Sequence, residues 1–558
     1  MKKNLLKILS IAFIFFISSK IQAQGYTTVD SLNKTYLNWY NLDPEIDKIQ
    51  GASVDRAYKE LLKDKSPKKK IVVAVIDGGV DTAHVDLKGK IWTNKDEIPN
   101  NGVDDDNNGY VDDVYGWNFI GNAKGENITG ENLEYVRIVK KGNLIYKNIK
   151  PVVSIAEPSI NEIPASQQND YKTYLICKTK YNQELEKYRS EIKKMEALKE
   201  KLNAAESKIK VLLGKNTFTQ QDVNNISSKN NDIKQAKDFL LSIYKEGLSR
   251  DILNGTIKYD STYLGKFLNL ELNPRKIVGD KPEDITDIKY GNNNVKGPDS
   301  GHGTLVAGII TANRDNNIGI NGIVENVEIM ALRVVPDGDE RDKDVALAIR
   351  YAVDNGANII NMSFGKAFSP QKKFVDDAVK YAEEHNVLLV HTAGNDGVNN
   401  DSFPHFPNMK FIDGSFSKNK ITVGASSRNP DKNFAAYFSN YGQCVDLFAP
   451  GVKIMSLLPE NRYHIANGTS FSCPVVSGIA ALVWSYYPEL TAVQLKEIIL
   501  KSATPHSKLK VYCPNKKTQG KKKIKFSKLC KTGGTVNAYK AIIMAEKFSE
   551  PARRLPDR

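Results

Sequence analysis

Ile71-Val72-Val73-Ala74-Val75-Ile76 runs straight into Asp77-Gly78-Gly79-Val80-Asp81. An unbroken apolar, largely β-branched run with no polar alternation predicts a strand buried on both faces. Such strands belong to parallel sheets covered by helices on both sides, so the fold class is α/β. The run ends in a carboxylate, which places Asp77 at the carboxyl end of a central strand. Open α/β sheets keep their ligand crevice at that end. An Asp that merely starts a turn reads the same way locally, so the rest of the chain has to supply the chemistry.

Around this strand the chain is long enough, at 558 residues, for several average domains or for one large domain with insertions. With 41% hydrophobic and 26% charged residues and only 5 cysteines, it is ordinary globular material. Collagen-like, disulfide-dense and wholly disordered classes are excluded. A formal charge of +14 invites a nucleic-acid reading. The lysines argue against it by where they sit. Four lie in the first 23 residues, residues 171–215 hold 12 basic against 6 acidic side chains, and residues 514–531 hold 8 lysines and no acid. Everything else is net acidic, so no nucleic-acid partner is expected.

Lys2, Lys3 and Lys7 precede the apolar run Ile8–Ile17, and Ala23 offers a cleavage point. This is the pattern of a signal peptide over residues 1–23, with export to the periplasm, envelope or medium as its consequence. No later stretch has 18 uninterrupted apolar residues, so no membrane-spanning segment is expected after its removal. In an exported chain, Cys177, Cys444, Cys473, Cys513 and Cys530 permit two disulfides. Cys513 and Cys530, which bracket the lysine-rich loop, are the natural pair.

Three further motifs carry chemistry. In Asp299-Ser300-Gly301-His302-Gly303-Thr304, His302 stands at the start of a small-residue helix that includes Ala307 and Gly308. In Asn467-Gly468-Thr469-Ser470-Phe471-Ser472-Cys473-Pro474, Ser470 enters an apolar helix at its positive end, where backbone N–H groups lack partners. In Leu388-Leu389-Val390-His391-Thr392-Ala393-Gly394-Asn395, a strand ends in a Gly-Asn turn.

Taken in order, these motifs resemble the subtilisin-like serine proteases, whose triad runs Asp, His, Ser along the chain. Val327–Val335, Ala357–Gly365, Lys420–Ser427 and Val445–Gly451 resemble that family's strands. The resemblance covers roughly residues 45–120 and 295–545. It implies a doubly wound, mostly parallel sheet and an endopeptidase acting on polypeptide substrates. Asp77, His302 and Ser470 would be its triad, and Asn395 its oxyanion-hole donor. No cofactor is needed for such catalysis. Ser363-Phe364-Gly365 resembles the segment that pairs with an extended substrate, with Phe364 either lining an apolar subsite or buried in the core. Two departures stand beside the nucleophile: Phe471-Ser472 replaces the usual Met-Ala, and Cys473 precedes the helix proline.

From Asp77 to His302 the chain is far longer than this family needs. Asp104, Asp106, Asn108 and Gly109 fit the D-x-D-x-N-G opening of a calcium loop, and Asp112 can serve its ninth position. The twelfth position is Tyr115 where a bidentate Glu is usual. Structural calcium is expected there, and the family resemblance favours it. Beyond that loop, Tyr181, Leu185, Tyr188, Ile192, Met195, Leu198, Leu202, Ala205, Ile209 and Leu212 form a heptad seam with one stammer, closed by Gly214. A second helix is predicted from Asp232 to Glu246, folding back on the first as an αα-hairpin. Such an appendage is suited to gating a cleft, recruiting a protein partner or self-association. A binding scaffold with vestigial proteolysis is the rival function class, and the intact Asp77, His302, Ser470 and Asn395 argue against it.

The organisation expected is a signal peptide over 1–23 and an N-terminal extension over 24–68. The catalytic domain would occupy 69–120 and 295–545, interrupted by an insertion over 121–294 that is largely helical at 171–247. A tail over 546–558 closes the chain.

Overall fold

The computed structural model describes residues 33–147, 163–314, 316–518 and 520–553. The signal segment and the last residues of the tail lie outside them. The chain forms two compact units: Gln24–Glu134 with Asn273–Arg558 in one, and Tyr135–Leu272 in the other.

The strands of the larger unit are β1 (Ile71–Asp77), β2 (Gly116–Asn118), β3 (Val327–Arg333), β4 (Ile359–Met362), β5 (Leu388–Thr392), β6 (Lys420–Ser426), β7 (Leu447–Pro450), β8 (Ile454–Leu458), β9 (Arg462–Ala466), β10 (Thr504–Pro505), β11 (Lys510–Tyr512), β12 (Lys523–Lys525) and β13 (Gly534–Thr535). Nine of them form one sheet in the order β10-β13-β7-β6-β5-β4-β1-β3-β2. Its pairs are parallel except the antiparallel edge β10–β13. β1 lies between β3 and β4, so the chain winds away from it in both directions and the switch point falls at Asp77.

The run that predicted β1 is buried for the reason given. Ile71, Val73 and Val75 face one apolar cluster, and Ala74 and Ile76 face the other. Along the smaller unit and then the larger, the helices include α1 (Gln168–Leu213), α2 (Asn231–Lys245), α3 (Arg250–Thr262), α4 (Gly301–Thr311), α5 (Asp342–Asp354), α6 (Lys372–Glu384), α7 (Thr469–Tyr486), α8 (Ala492–Lys501) and α9 (Ala538–Arg553). The first cluster takes α4, α7, α8 and α9, and the second takes α5 and α6. Among the described residues α7 alone is long and apolar enough to cross a membrane, and all of it is buried in this core.

The domain boundaries differ from the sequence reading in three places. Trp39 and Tyr40 are fully buried in the first cluster, with Trp39 Nε1 donating to Lys453 O at 2.9 Å, so the extension contributes to the core. Residues 121–134 and 273–294, expected in the insertion, belong to the larger unit. Ile128, Val278 and Tyr290 pack in the second cluster, and Arg275 makes a buried ion pair with Asp344 at 2.8 Å. α9 continues through the expected start of the tail at 546.

The smaller unit is built on the 46-residue α1, which packs against both α2 and α3. The predicted hairpin is thus a three-helix arrangement. Leu202, Ala205 and Ile209 of the seam meet Ala236, Leu240 and Ile243 of α2 and Leu253 of α3. Tyr188 stacks on Tyr263 with ring centroids 4.2 Å apart. Leu212 is exposed and Leu213 packs in its place, because the seam drifts around the helix past the stammer.

All five cysteines are free thiols, so the expected Cys513–Cys530 bridge is absent. The antiparallel β11–β12 pair closes the lysine-rich loop instead, and the Cys530 thiol is buried over Gly534 O.

Candidate active site

Asp77 ends β1 with its side chain 1% exposed. His302 stands in the first turn of α4, which can approach β1 closely because its next residue is Gly303. A Cβ at that position would lie 2.1 Å from Gly79 O. The close approach brings His302 Nδ1 to 2.8 and 2.9 Å from the two Asp77 carboxylate oxygens. A carboxylate only accepts, so Nδ1 carries the proton and Nε2 is left as the basic nitrogen. Burial works against the imidazolium, but the Asp77 charge and hydrogen bond overcome it and hold the His302 pKa above its ordinary value.

Ser470 opens α7 and is 9% exposed. Its backbone N–H has no intrahelical acceptor, as at any helix start. His302 Nε2 and Ser470 Oγ make no hydrogen bond among the described residues. Phe471, the departure beside the nucleophile, packs its ring 5.5 Å from the imidazole of His302. It thereby packs against His302 from the helix that carries Ser470.

Asn395, just beyond β5, is turned by Thr469. The Thr469 N–H and hydroxyl both donate to Asn395 Oδ1, at 2.9 and 2.8 Å. With Oδ1 engaged, Nδ2 is the free donor beside the Ser470 N–H. Two donors at the start of a buried helix suit a developing oxyanion.

The Ser363-Phe364-Gly365 segment divides its roles differently from the expectation. Ser363 is buried, and its hydroxyl donates to Ser470 O at 2.8 Å while accepting from Asn361 Nδ2 at 2.9 Å. Asn361 Oδ1 in turn accepts from Ser477 Oγ at 2.8 Å and from the Cys473 thiol at 3.3 Å. Burial pushes the Cys473 thiol up to about 12, so it stays a donor. These contacts tie the nucleophile's helix to β4. Phe364 lies in the second core cluster, 8% exposed, and its carbonyl accepts from His391 Nε2. Gly365 keeps both its N–H and its C=O unpaired among the described residues, and a Cβ there would strike His405.

In the acidic loop the four residues read as metal ligands make different contacts, and Asp104 and Asp106 share the Asn108 N–H, each at 3.0 Å. Asp104 accepts the N–H groups of Asn108 and Gly109, and Asp112 those of Asn101 and Gly102, so both brace turns. Asn108 turns its amide N–H toward Asp106 and Asp113. Only Asp106 of the predicted set belongs to the carboxylate group that converges here, with Glu97 and Asp113 as its partners.

Sequence reasoning named Asp77, His302, Ser470 and Asn395 and missed the residues that hold them. Thr469 and Ser477 had no signal beyond lying in the serine motif, and Asn361 and Ser363 none beyond lying in the Ala357–Gly365 strand segment.

Residues 68–528 match the sequence model of the subtilase family, peptidase S8. The chain belongs to the subtilase family. Among relatives of this subtilase, the alkaline elastase YaB of Bacillus sp. (strain YaB) is 36% identical over 206 residues, 37% of this chain and 50% of that protein. Subtilisin BL of Lederbergia lenta is 35% identical over 214 residues, 38% of this chain and 74% of that protein. The chain thus spans half the length of the elastase, and 23% of the cell wall-associated protease of Bacillus subtilis (strain 168), to which it is 33% identical over 222 residues, 39% of this chain. Among solved structures, the prenylagaramide maturation protease PagA is 30% identical with a TM-score of 0.35, covering 44% of this chain and 82% of that one.

Replacing Asn395 by Ala in this subtilase removes the free Nδ2 donor, which the family resemblance implies serves the oxyanion. Peptide hydrolysis is expected to fall in kcat by about 10²–10³ with KM little changed, the magnitude of the corresponding substitution in a subtilisin. Steady-state kinetics on a peptide amide substrate check it.

Proposed function

We propose that this subtilase is an exported serine endopeptidase that cleaves peptide bonds through Asp77, His302 and Ser470, with Asn395 in the oxyanion hole. One observation carries the reading: His302 Nδ1 is held by Asp77, and the same imidazole packs 5.5 Å from Phe471, the residue next to Ser470.

In this reaction His302 Nε2 takes the Ser470 proton as Oγ attacks the scissile carbonyl. The imidazolium that forms is stabilised by Asp77. Negative charge develops on the carbonyl oxygen, facing Asn395 Nδ2 and the Ser470 N–H. His302 then gives its proton to the leaving amine, and an acyl-enzyme remains on Ser470. Water repeats the sequence and frees the acid. The unpaired N–H and C=O of Gly365 suit an extended peptide, so polypeptides are the substrate class. The basic, apolar leader over residues 1–23 supports export, as does similarity to a protease described as cell wall-associated.

A phosphonate serine-hydrolase probe tests the proposal. Labelling is expected on Ser470, identified by peptide mass mapping, and is expected to vanish in His302→Ala. Labelling elsewhere, or equal labelling without His302, would overturn it.

A further inference from the structure

Gly365 has to be held in place by its neighbours. It has no side chain to pack, glycine backbone is the freest of any residue, and its own N–H and C=O are unpaired among the described residues. Phe364 anchors it on one side from the core. On the other side Lys366 is bound at every polar atom. Its N–H donates to Phe406 O at 3.1 Å, and its C=O accepts the Phe406 N–H at 2.8 Å. Lys366 is only 4% exposed, and its ammonium donates to Glu134 Oε2 at 2.7 Å and to Glu340 O at 2.8 Å. Asp342 Oδ1, at 2.8 Å, is the third partner. An ammonium has three N–H bonds, so this one is saturated.

The partners meet at one junction. Asp342, Lys343 and Asp344 open α5, and each takes an opposite charge. Asp342 pairs with Lys366. Lys343, fully buried, donates to Asp280 at 3.1 Å, to Lys281 O at 2.9 Å and to Asp287 at 3.2 Å. Asp344 accepts from both Nη groups of Arg275, at 2.8 and 3.1 Å. The aspartates suit the positive end of a helix and the lysine opposes it, so Lys343 depends on its acidic neighbours. Glu134 is the last residue before the chain enters the smaller unit, and Arg275 follows its return at Asn273. One cluster of buried charges therefore gathers the segment after Gly365 and both roots of the insertion.

Buried ion pairs are a poor source of stability, because apolar residues of similar volume do as well or better. What converging charges supply is position. We propose that Lys366 is a positioning residue for peptide hydrolysis: clamped by Glu134 and Asp342, it holds the Gly365 N–H and C=O where an extended peptide pairs with them. The role rests on the proteolytic function proposed for this chain. Among the described residues Lys366 makes no bond to Asp77, His302, Ser470 or Asn395, so its loss weakens peptide binding and spares the bond-breaking step. The roots of the insertion and the substrate-pairing segment share this one anchor.

Steady-state kinetics on two peptide amides test this, one long enough to lie along Gly365 and one with a single residue before the scissile bond. In Lys366→Met, KM for the long peptide is expected to rise about tenfold with kcat little changed, while both constants for the short one stay within about twofold. Glu134→Gln leaves Asp342 to hold the ammonium, so it is the milder change and covers the case in which Lys366→Met does not fold. It is expected to raise KM for the long peptide about threefold. Arg314→Met, which breaks the ion pair with Asp55 instead, controls for lost stability and is expected to lower Tm with both KM values kept. A phosphonate probe is expected to label Ser470 in the parent and in every folded variant. Labelled Ser470 with KM for the long peptide unmoved in Glu134→Gln and in any folded Lys366→Met would overturn the positioning role and leave the protease reading standing. So would equal losses on both peptides. A parent that takes no label would overturn both.

Discussion

Ser470→Ala is expected to abolish peptide hydrolysis, with a loss in kcat on the order of 10⁶, while thermal unfolding stays within about a degree of the parent. The size is the one found for the corresponding serine of a subtilisin. The argument for an intact fold is local. Ser470 Oγ has no partner among the described residues, so its removal strands no buried group. The helix start is held by other contacts: Ser363 on Ser470 O, Thr469 on Asn395, and Ser472 Oγ on Ala449 O at 3.0 Å. Ser472→Ala supplies the contrast, since it deletes a buried hydrogen bond and leaves the nucleophile in place. It is expected to lower Tm and to retain most of the activity. Hydrolysis above the uncatalysed rate by more than about 10⁴ in Ser470→Ala would refute the assignment of the nucleophile.

Asp77→Asn is expected to lower kcat by about 10⁴, because an amide no longer fixes the imidazole in the tautomer with a free Nε2. Its pH profile carries more information than its rate. In the parent, the Asp77 carboxylate holds the His302 pKa above its ordinary value. Only neutral His302 accepts the serine proton, so activity is absent at low pH and rises as pH passes through that raised value. Asn at position 77 removes the charge, the imidazolium loses its partner, and the acid limb of kcat/KM moves to lower pH. An acid limb that stays where it was would show that some other group controls the titration.

How much was legible beforehand depended on whether a function is carried by a local pattern. β1 announced itself because a strand buried on both faces cannot alternate, and α/β architecture followed. His302, Asn395 and Ser470 each sit where an element begins or ends, and such boundaries have a signature in glycine and small residues. What was missed or left ambiguous has the opposite cause. Asp104 and Asp112 accept backbone N–H groups in turns, and turn-capping and cation binding use the same residue types at the same spacing. Glu97 and Asp113 lie outside the template and only three-dimensional convergence reveals them. Phe364 was ambiguous because an apolar subsite and a core position demand the same side chain. α3 escaped notice because Arg250–Thr262 carries Gly255 and buries only Leu253 and Asp260, too little for an amphipathic stripe. The bridge expected between Cys513 and Cys530 gave way to a hairpin whose closure is written in backbone pairing, which composition does not show.

Every residue of α7 from Thr469 to Tyr486 is buried. A helix without a solvent face has no position at which drift is free, since shortening a large buried side chain costs about 2–5 kcal/mol and enlarging one about 1–3. Ser470 is therefore mounted on an element with little room for substitution, and Gly365, where a Cβ would strike His405, shares that constraint, so the surrounding loops are where change is cheapest.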